Sequence, residues 1–395
     1  MKTRFLLNEL IEHSKKKEIT LLLGARQTGK TTLLKQLQKR LSSEYNVFIT
    51  LEDKTYLKAF NQHPKNLLQF IPPLVKNKKN YILIDEIQYL DDPSNFLKLL
   101  YDEYGEQIKL IVSGSSGFYI DKKFTDSLAG RKRIFELSTM RFKEFLYFKG
   151  YENFSNYAHS DHLPKIYLKE LQFLLTEYII YGGYPLVVLQ DLVDEKKQVL
   201  KELATSYIKK DVLDASVRYQ DIYFKLMKIA SAQIGSLFNL NTISKNLKIN
   251  IKTVESYLFV MQKSFHISLV KPFYKNNNAE LRKMKKIYFN DLGLRNYFIN
   301  DFNPLLIRAD RGNLLENYLY LFFCSHYERD NIYYWRTQKK QEVDFVIEES
   351  KAYEVKFSDS SLKKSKYTLF KNTYPKIPLK FISFDNVLEL NLPVS

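Results

Sequence analysis

Cysteine is nearly absent from this chain, with one residue, Cys324, in 395. One thiol forms no internal disulfide, and no thiol cluster exists to hold zinc. Within "LYLFFCSHY", Cys324 reads as a buried structural thiol, although His326 stands close enough in sequence to pair with it. Long hydrophobic runs are lacking too. The most apolar stretch, "YIIYGGYPLVVL", is interrupted by Gly182, Gly183 and Pro185, so nothing reaches membrane-spanning length. The opening "MKTRFLLNELIEHSKKK" turns polar too early for a signal peptide, and the expectation is a cytoplasmic protein with no membrane partner. Acidic side chains are in deficit, 44 against 61 Lys and Arg, for a formal net charge of +17. That excess suits a polyanionic partner, most simply nucleic acid. A Lys- and Asn-heavy composition gives the same number without functional meaning, so charge alone does not decide.

What is present begins with size. A chain of 395 residues exceeds one compact core and should divide into two to four domains. Hydrophobic residues at 45% and charged residues at 27% are ordinary for a globular protein that buries a core.

The sharpest pattern is "EITLLLGARQTGKTTLLKQL": an apolar strand, a Gly-bounded turn and an amphipathic helix. Gly24-x4-Gly29-Lys30-Thr31 has the spacing of a P-loop. Gly24, Ala25, Arg26, Gln27, Thr28 and Gly29 would wrap a phosphate with backbone amides, and Lys30, Thr31 and Thr32 open the helix whose positive dipole end faces it. Lys30 would reach the β and γ phosphates, and the Thr31 hydroxyl would bind Mg²⁺. Downstream, "NYILIDEIQYL" ends a buried strand in Asp85 and Glu86. Asp85 would hold the hydrated Mg²⁺, and Glu86 would orient and deprotonate the attacking water. Another buried strand, "IKLIVSGSS", places Ser113 to Ser116 near the γ-phosphate or the water, with Ser115 the catalytic candidate. Any one of these serines serves equally well as a strand-ending turn. In "SLAGRKRIFEL", Arg131 and Arg133 precede a short strand; Arg131 is the candidate for stabilising transition-state charge, in its own subunit or in a neighbour within a homo-oligomer. A solvated charge cluster accounts for at least one of the two.

"GARQTGKTT", "ILIDEIQ", "IVSGSS", "SLAGR" and "FKEFL" together resemble the AAA-like ATPases that carry a DUF4143-type C-terminal region. They are also similar to archaeal-type ATPases at the border of the STAND and AAA groups. The likeness extends over nearly the whole chain through "YGGYP" and "GNLLENYL…YYWR…EVDFVI…YEVK". One departure is visible: the chain reads "STMRF" where such proteins have a Pro shortly before the Phe, and no chemical role depends on it.

From about residue 142 the pattern turns helical, "FKEFLYFKG" and then "PKIYLKELQFLLTEYIIYGG", consistent with a helical lid over the nucleotide. Gly182-Gly183 marks a helix stop or a hinge. Next, "TISKNLK", the turn "IN", "IKTVESYLFVMQKS" and strand-like "HISLVKPF" lay out a winged helix. Its second helix would present Lys252, Thr253, Ser256 and Tyr257 to a DNA groove, with "YKNNNAELRKMKK" as the wing. Such domains also serve as purely protein-binding modules.

In the tail, Glu316 on a helix, Asp344 on a strand, and Glu354-x-Lys356 on the next match the order of a PD-(D/E)xK nuclease core, with Val343 in place of the Pro of that motif. Glu316, Asp344 and Glu354 would then hold a second divalent ion, Mg²⁺ or Mn²⁺, and Lys356 would polarise the water without being a ligand. A solvated hairpin or the remnant of a nuclease fold accounts for the same residues.

The sequence therefore predicts an α/β protein: a P-loop AAA-like ATPase core with parallel sheet at 1–145, a helical lid at 146–220, a winged helix at 221–290 and a restriction-endonuclease-like domain at 291–395. The expected activity is Mg²⁺-dependent ATP hydrolysis coupled to DNA binding, with DNA cleavage as a further activity of the tail. The alternative is a nucleotide-switched interaction protein whose nuclease-like domain is inactive.

Overall fold

The computed structural model describes residues 2–41, 45–75, 78–114, 128–157, 165–215, 217–273, 284–358 and 364–390. The chain divides into two compact units. The first comprises Met1–Ser138, Lys210–Ser216 and Phe259–Phe265, and the second comprises Thr139–Lys209, Val217–Leu258 and His266–Ser395.

The first unit is built on five strands: β1 (Ile19–Leu23), β2 (Asn46–Thr50), β3 (Asn80–Asp85), β4 (Ile108–Gly114) and β5 (Lys132–Glu136). Their order across the sheet is β2-β3-β4-β1-β5, and every neighbouring pair is parallel. Parallel neighbours require crossovers, which the helices Lys30–Arg40 and Pro93–Tyr104 help to supply. Strands covered on both faces must be apolar on both faces. Leu21, Leu23, Ile82, Ile84 and Val112 join one buried cluster with Phe96 and Leu97, whereas Leu22, Leu83 and Ile111 join another with Leu33, Leu34 and Leu37. This alternation explains why the three central strands read as unbroken hydrophobic runs. The strand order also decides the site. Because β4 lies between β1 and β3, its carboxyl end stands between the loop after β1 and the acidic end of β3.

The second unit begins with helices, among them Phe142–Lys149, Lys165–Tyr181 and Val193–Glu202, as the apolar spacing predicts. Gly182 and Gly183 end the long one. Gly182 has a left-handed φ of 78°, and a Cβ there would come within 2.3 Å of Asp291 Oδ1. A Cβ on Gly183 would meet the Met140 carbonyl at 2.1 Å. The Gly183 amide donates to Asp291 Oδ2 at 2.8 Å, and Asn296 Nδ2 donates to the carbonyls of Ile179 and Ile180 at 3.0 and 2.9 Å. The two glycines are thus a helix stop pressed against the segment around Asp291.

The helix pair expected for DNA binding is present as Leu240–Leu247 and Ile251–Lys263, with Lys248 in a left-handed conformation at the turn. Lys252 and Ser256 are exposed and Thr253 is half-buried. Tyr257, expected on the outward face, is instead buried, and its hydroxyl accepts from the Tyr219 amide at 3.0 Å. Its apolar ring outweighs its single hydroxyl, which finds a backbone partner. Strands β6 (Ile267–Pro272) and β7 (Lys286–Phe289) follow and pair antiparallel; the expected wing residues 274–283 lie outside the described residues.

These two strands do not stand alone. They belong to a six-stranded sheet of order β11-β10-β9-β8-β6-β7, with β8 (Ile332–Arg336), β9 (Glu342–Ile347), β10 (Lys351–Val355) and β11 (Leu379–Ile382). The sheet therefore runs across the border expected at residue 290, because β6 pairs in parallel with β8 through Lys271–Tyr333 and Pro272–Tyr334. Cys324 caps the helix Arg311–Phe323 and is half-buried, less covered than its apolar neighbours predicted.

Candidate nucleotide site and a carboxylate cluster

The loop between β1 and the helix Lys30–Arg40 is fixed by close approach and by hydrogen bonds. A Cβ on Gly24 would lie 2.3 Å from the Leu137 carbonyl oxygen, so the backbone there admits only glycine. Gln27 and Gly29 have left-handed φ values of 63° and 94°. The Thr28 hydroxyl donates to the Ala25 carbonyl at 2.9 Å, closing the loop on itself. Two cations brace it from outside. Arg4 donates to the carbonyls of Thr28 and Ser138 at 2.7 and 2.8 Å. Arg26 forms a buried ion pair with Asp211 at 2.7 Å. Neither partner was visible in the motif, because Arg4 precedes it and Asp211 lies 185 residues beyond Arg26.

Lys30 is buried, and its ammonium donates to the carbonyls of Gly24 and Ala25 at 3.0 and 2.8 Å. Burial pulls its pKa down to about 8, against the raising influence of Glu86 and Asp85. A polyphosphate at the loop would supply the counter-charge this lysine lacks. Thr31 donates its hydroxyl to Asp85 Oδ2 at 2.6 Å. Ser113 donates to the other Asp85 oxygen, and the Glu86 amide donates to Ser113 Oγ at 3.3 Å. Ser113 of "SGSS" thus meets the acidic pair, and Ser115 lies outside the described residues. Glu86 sits at a left-handed φ of 61°, and one of its carboxylate oxygens accepts from Gln88 Nε2. A hydroxyl beside a single carboxylate is the donor set of a cation that keeps most of its water, as Mg²⁺ does. The residues therefore fit Mg²⁺ held with a nucleotide by Thr31 and Asp85.

Arg131 does not join this site within its own chain. Its carbonyl accepts from the Ile19 amide at 2.8 Å, at the amino end of β1, while the phosphate loop follows the carboxyl end. Its side chain pairs with Asp102 at 2.7 Å. Parallel pairing of β1 with β5 forces this placement: a residue just before β5 lies at the opposite edge of the sheet from a loop just after β1.

In the second unit, Glu316, Asp344, Glu354 and Lys356 are brought close together, but their arrangement departs from a metal centre. A lysine that sequence reasoning passed over, Lys286 on β7, is fully buried among them. Its Nζ lies 2.7 Å from Glu342 Oε1, 2.9 Å from Glu316 Oε1 and 3.2 Å from Asp344 Oδ1. The Tyr288 hydroxyl also donates to Glu316 Oε1, at 2.6 Å, and the Val355 amide donates to Asp344 Oδ2 at 2.9 Å. Glu354 Oε1 accepts from Lys356 and, at 2.7 Å, from the Tyr367 hydroxyl. Burial opposes the Lys286 charge, but Glu316, Tyr288, Asp344 and Glu342 override it and hold the ammonium charged. Burial and the Asp344 carboxylate push the Glu316 carboxyl upward, against the pull of Lys286 and its hydrogen bonds. Among the described residues no group of three or more His, Cys, Asp or Glu is arranged to hold a metal ion.

The Lys286 ammonium already places a positive charge among oxygens of Glu342, Glu316 and Asp344, so the second metal expected at Glu316, Asp344 and Glu354 would have to share or displace those contacts. Gly235 contributes as well: its backbone lies so close to Glu316 that a Cβ would come within 2.9 Å of Oε2. Asn317, also unforeseen, clamps the edge strand β7 by accepting from the Phe289 amide at 2.9 Å and donating to its carbonyl at 2.8 Å.

Family relationships agree with the geometry of the first unit. Residues 16–146 match a family described as an AAA domain (AAA_14), and residues 311–383 match a domain of unknown function, DUF4143. Those two regions of the chain are similar to an AAA domain and to a DUF4143 domain. Residues 172–305 match a second domain of unknown function, DUF8612, which spans part of the expected helical lid and all of the expected winged helix. The uncharacterised protein MJ1544 of Methanocaldococcus jannaschii is 29% identical over 342 residues, covering 84% of this chain and 72% of that protein. The uncharacterised protein Rv2008c of Mycobacterium tuberculosis is 22% identical over 340 residues, 84% of this chain and 67% of that one. A solved structure of the Thermotoga maritima RuvB Holliday junction branch migration motor overlaps 66% of this chain and 86% of its own at 16% identity, with a TM-score of 0.35. That overlap is too low to carry an argument about function. The P-loop AAA-type fold supports ATP binding and hydrolysis.

Proposed function

We propose that the protein hydrolyses ATP at the loop Gly24–Thr31 and that this cycle is coupled to binding of duplex DNA by its second unit. The observation that carries the first part is the chain of contacts linking the Thr31 hydroxyl, the Asp85 carboxylate, the Ser113 hydroxyl and the Glu86 backbone amide at the carboxyl edge of the parallel sheet, which supports reading Thr31 and Asp85 as metal-holding and Glu86 as the group that activates water. When bound, Mg²⁺ offsets charge on the β and γ phosphates. Lys30 supplies the matching positive charge from the protein. Glu86 accepts a proton from the attacking water and orients it. Gly24 and Gly29 keep the backbone close enough for its amides to reach phosphate oxygens.

The second part rests on the net charge of +17 and on exposed Lys245, Lys248 and Lys252 around the turn between the two short helices. Phosphate contacts of this kind position a helix on DNA without specifying sequence. The test is ATP turnover by the full chain with and without duplex DNA, over a series of salt concentrations. Turnover raised by DNA at low salt, with the effect fading as salt rises, supports the coupling. Tight ATP binding with a single slow turnover, unaltered by DNA, would replace it with the nucleotide-switched interaction protein.

A further inference from the structure

We propose that Lys286 is a permanent internal cation occupying the place of a divalent metal in the C-terminal carboxylate cluster, so that this region binds no Mg²⁺ or Mn²⁺ and cleaves no phosphodiester. The carboxylates of a nuclease-type fold repel one another and need a positive charge among them. Here the charge is covalently attached. The ammonium of Lys286 meets oxygens of Glu342, Glu316 and Asp344 within 3.2 Å, and the residue is only 1% exposed. The ammonium donates to Glu316, on the helix Arg311–Phe323, and to Asp344, on β9, and forms a third ion-pair contact with Glu342, also on β9.

Two further oxygens of the cluster are met by the fold itself. Asp344 Oδ2 takes the Val355 amide, and Glu354 Oε1 takes Lys356 and Tyr367. The second oxygen of Glu354 is buried with no hydrogen-bond partner. The lysine reaches this position because β7 is the edge strand of the six-stranded sheet and is held there by Asn317 and by the bridges Ile234–Ile287 and Leu237–Lys286. The cluster is thereby a structural fastener joining the edge strand, β9 and the helix.

The experiment uses Mn²⁺ as the probe on the full chain without nucleotide, read by the electron paramagnetic resonance signal of free Mn²⁺. The parent and Asp344→Asn should retain the same Mn²⁺ stoichiometry, because Asp344 holds no metal in either. Lys286→Ala, checked for folding by circular dichroism, should gain one Mn²⁺ per chain, and adding Asp344→Asn to it should abolish the gain. A parent stoichiometry that falls by one on Asp344→Asn overturns the proposal, as does a folded Lys286→Ala that takes up no additional Mn²⁺. Should Lys286→Ala not fold, the comparison of parent with Asp344→Asn decides alone. Neither arm depends on ATP turnover, so failure here is distinguishable from failure of the ATPase reading.

Discussion

Thr31 and Asp85 are joined by a hydrogen bond of 2.6 Å, although 54 residues separate them in the chain. This contact links the phosphate loop to the acidic strand end before any nucleotide is considered. It follows from strand order, since β3 and β1 flank β4 and all three end at the same edge. On the proposed reading, removing either partner should separate nucleotide binding from metal-assisted turnover.

Lys30→Ala should therefore abolish ATP binding, because the buried ammonium is the loop's main counter-charge. Glu86→Gln should retain binding while lowering turnover by about 100-fold or more, the usual contribution of a positioned general base. Fluorescent-nucleotide titration and phosphate release measured on both variants separate the two effects. Parent-like turnover in Glu86→Gln would remove Glu86 from the role of base.

Ser113→Ala should act on the metal rather than on the nucleotide. Ser113 touches Asp85 and accepts from the Glu86 amide, so its loss frees both to shift. Loss of such an outer partner typically costs about 10- to 100-fold in metal affinity or activity. The Mg²⁺ concentration giving half-maximal turnover should rise by about that factor, with affinity for metal-free ATP unchanged.

Arg131→Ala should leave ATP turnover unchanged at protein concentrations where the chain is monomeric. Its ion pair with Asp102 is exposed and lies at the far edge of the sheet from the loop. A fall in turnover that appears only at higher protein concentration would assign Arg131 to a neighbouring chain's site.

Lys252→Ala should weaken duplex DNA binding and reduce the salt slope by about one, as expected when a single phosphate is no longer neutralised. Lys252 is exposed on the first turn of its helix, with its amide accepted by the Asn250 side chain at 2.9 Å. A control such as Lys58→Ala, on the helix Lys54–Gln62 of the first unit, should change neither. Equal effects from both would reduce the interaction to net charge alone.

His13 predicts a pH dependence of stability. Burial, followed by the charge of Lys109, lowers its pKa from 6.5 to about 4, and its Nδ1 shares a hydrogen bond of 2.8 Å with the Thr20 hydroxyl. Below pH 6.5 the unfolded chain takes up a proton that the folded chain refuses until about pH 4. Stability from this residue is therefore fully present above 6.5 and is lost as pH falls between those values. Urea midpoints at intervals across that window should fall more steeply for the parent than for His13→Gln.

The sequence by itself determined whatever depends on residues near one another in the chain. Gly24-x4-Gly29-Lys30-Thr31 between an apolar strand and a helix is readable because phosphate binding needs a short loop at a helix start. The runs ending in Asp85 and Ser113 are readable because a strand buried on both faces is continuously apolar. The helix pair 240–247 and 251–263 was visible in apolar spacing, although the buried side of Tyr257 was not, since a tyrosine suits either face. Tertiary structure alone decided which partners meet. Strand order placed Ser113 beside Asp85 and sent Arg131 to the opposite edge. Chain return brought Asp211 to Arg26. Pairing of β6 with β8 carried β7 into the C-terminal sheet and set Lys286 between Glu316 and Asp344. In the sequence Lys286 ends the basic run "RKMKK", where nothing distinguishes it from the other basic residues. Only burial among carboxylates does so, and burial depends on contacts between residues far apart along the chain.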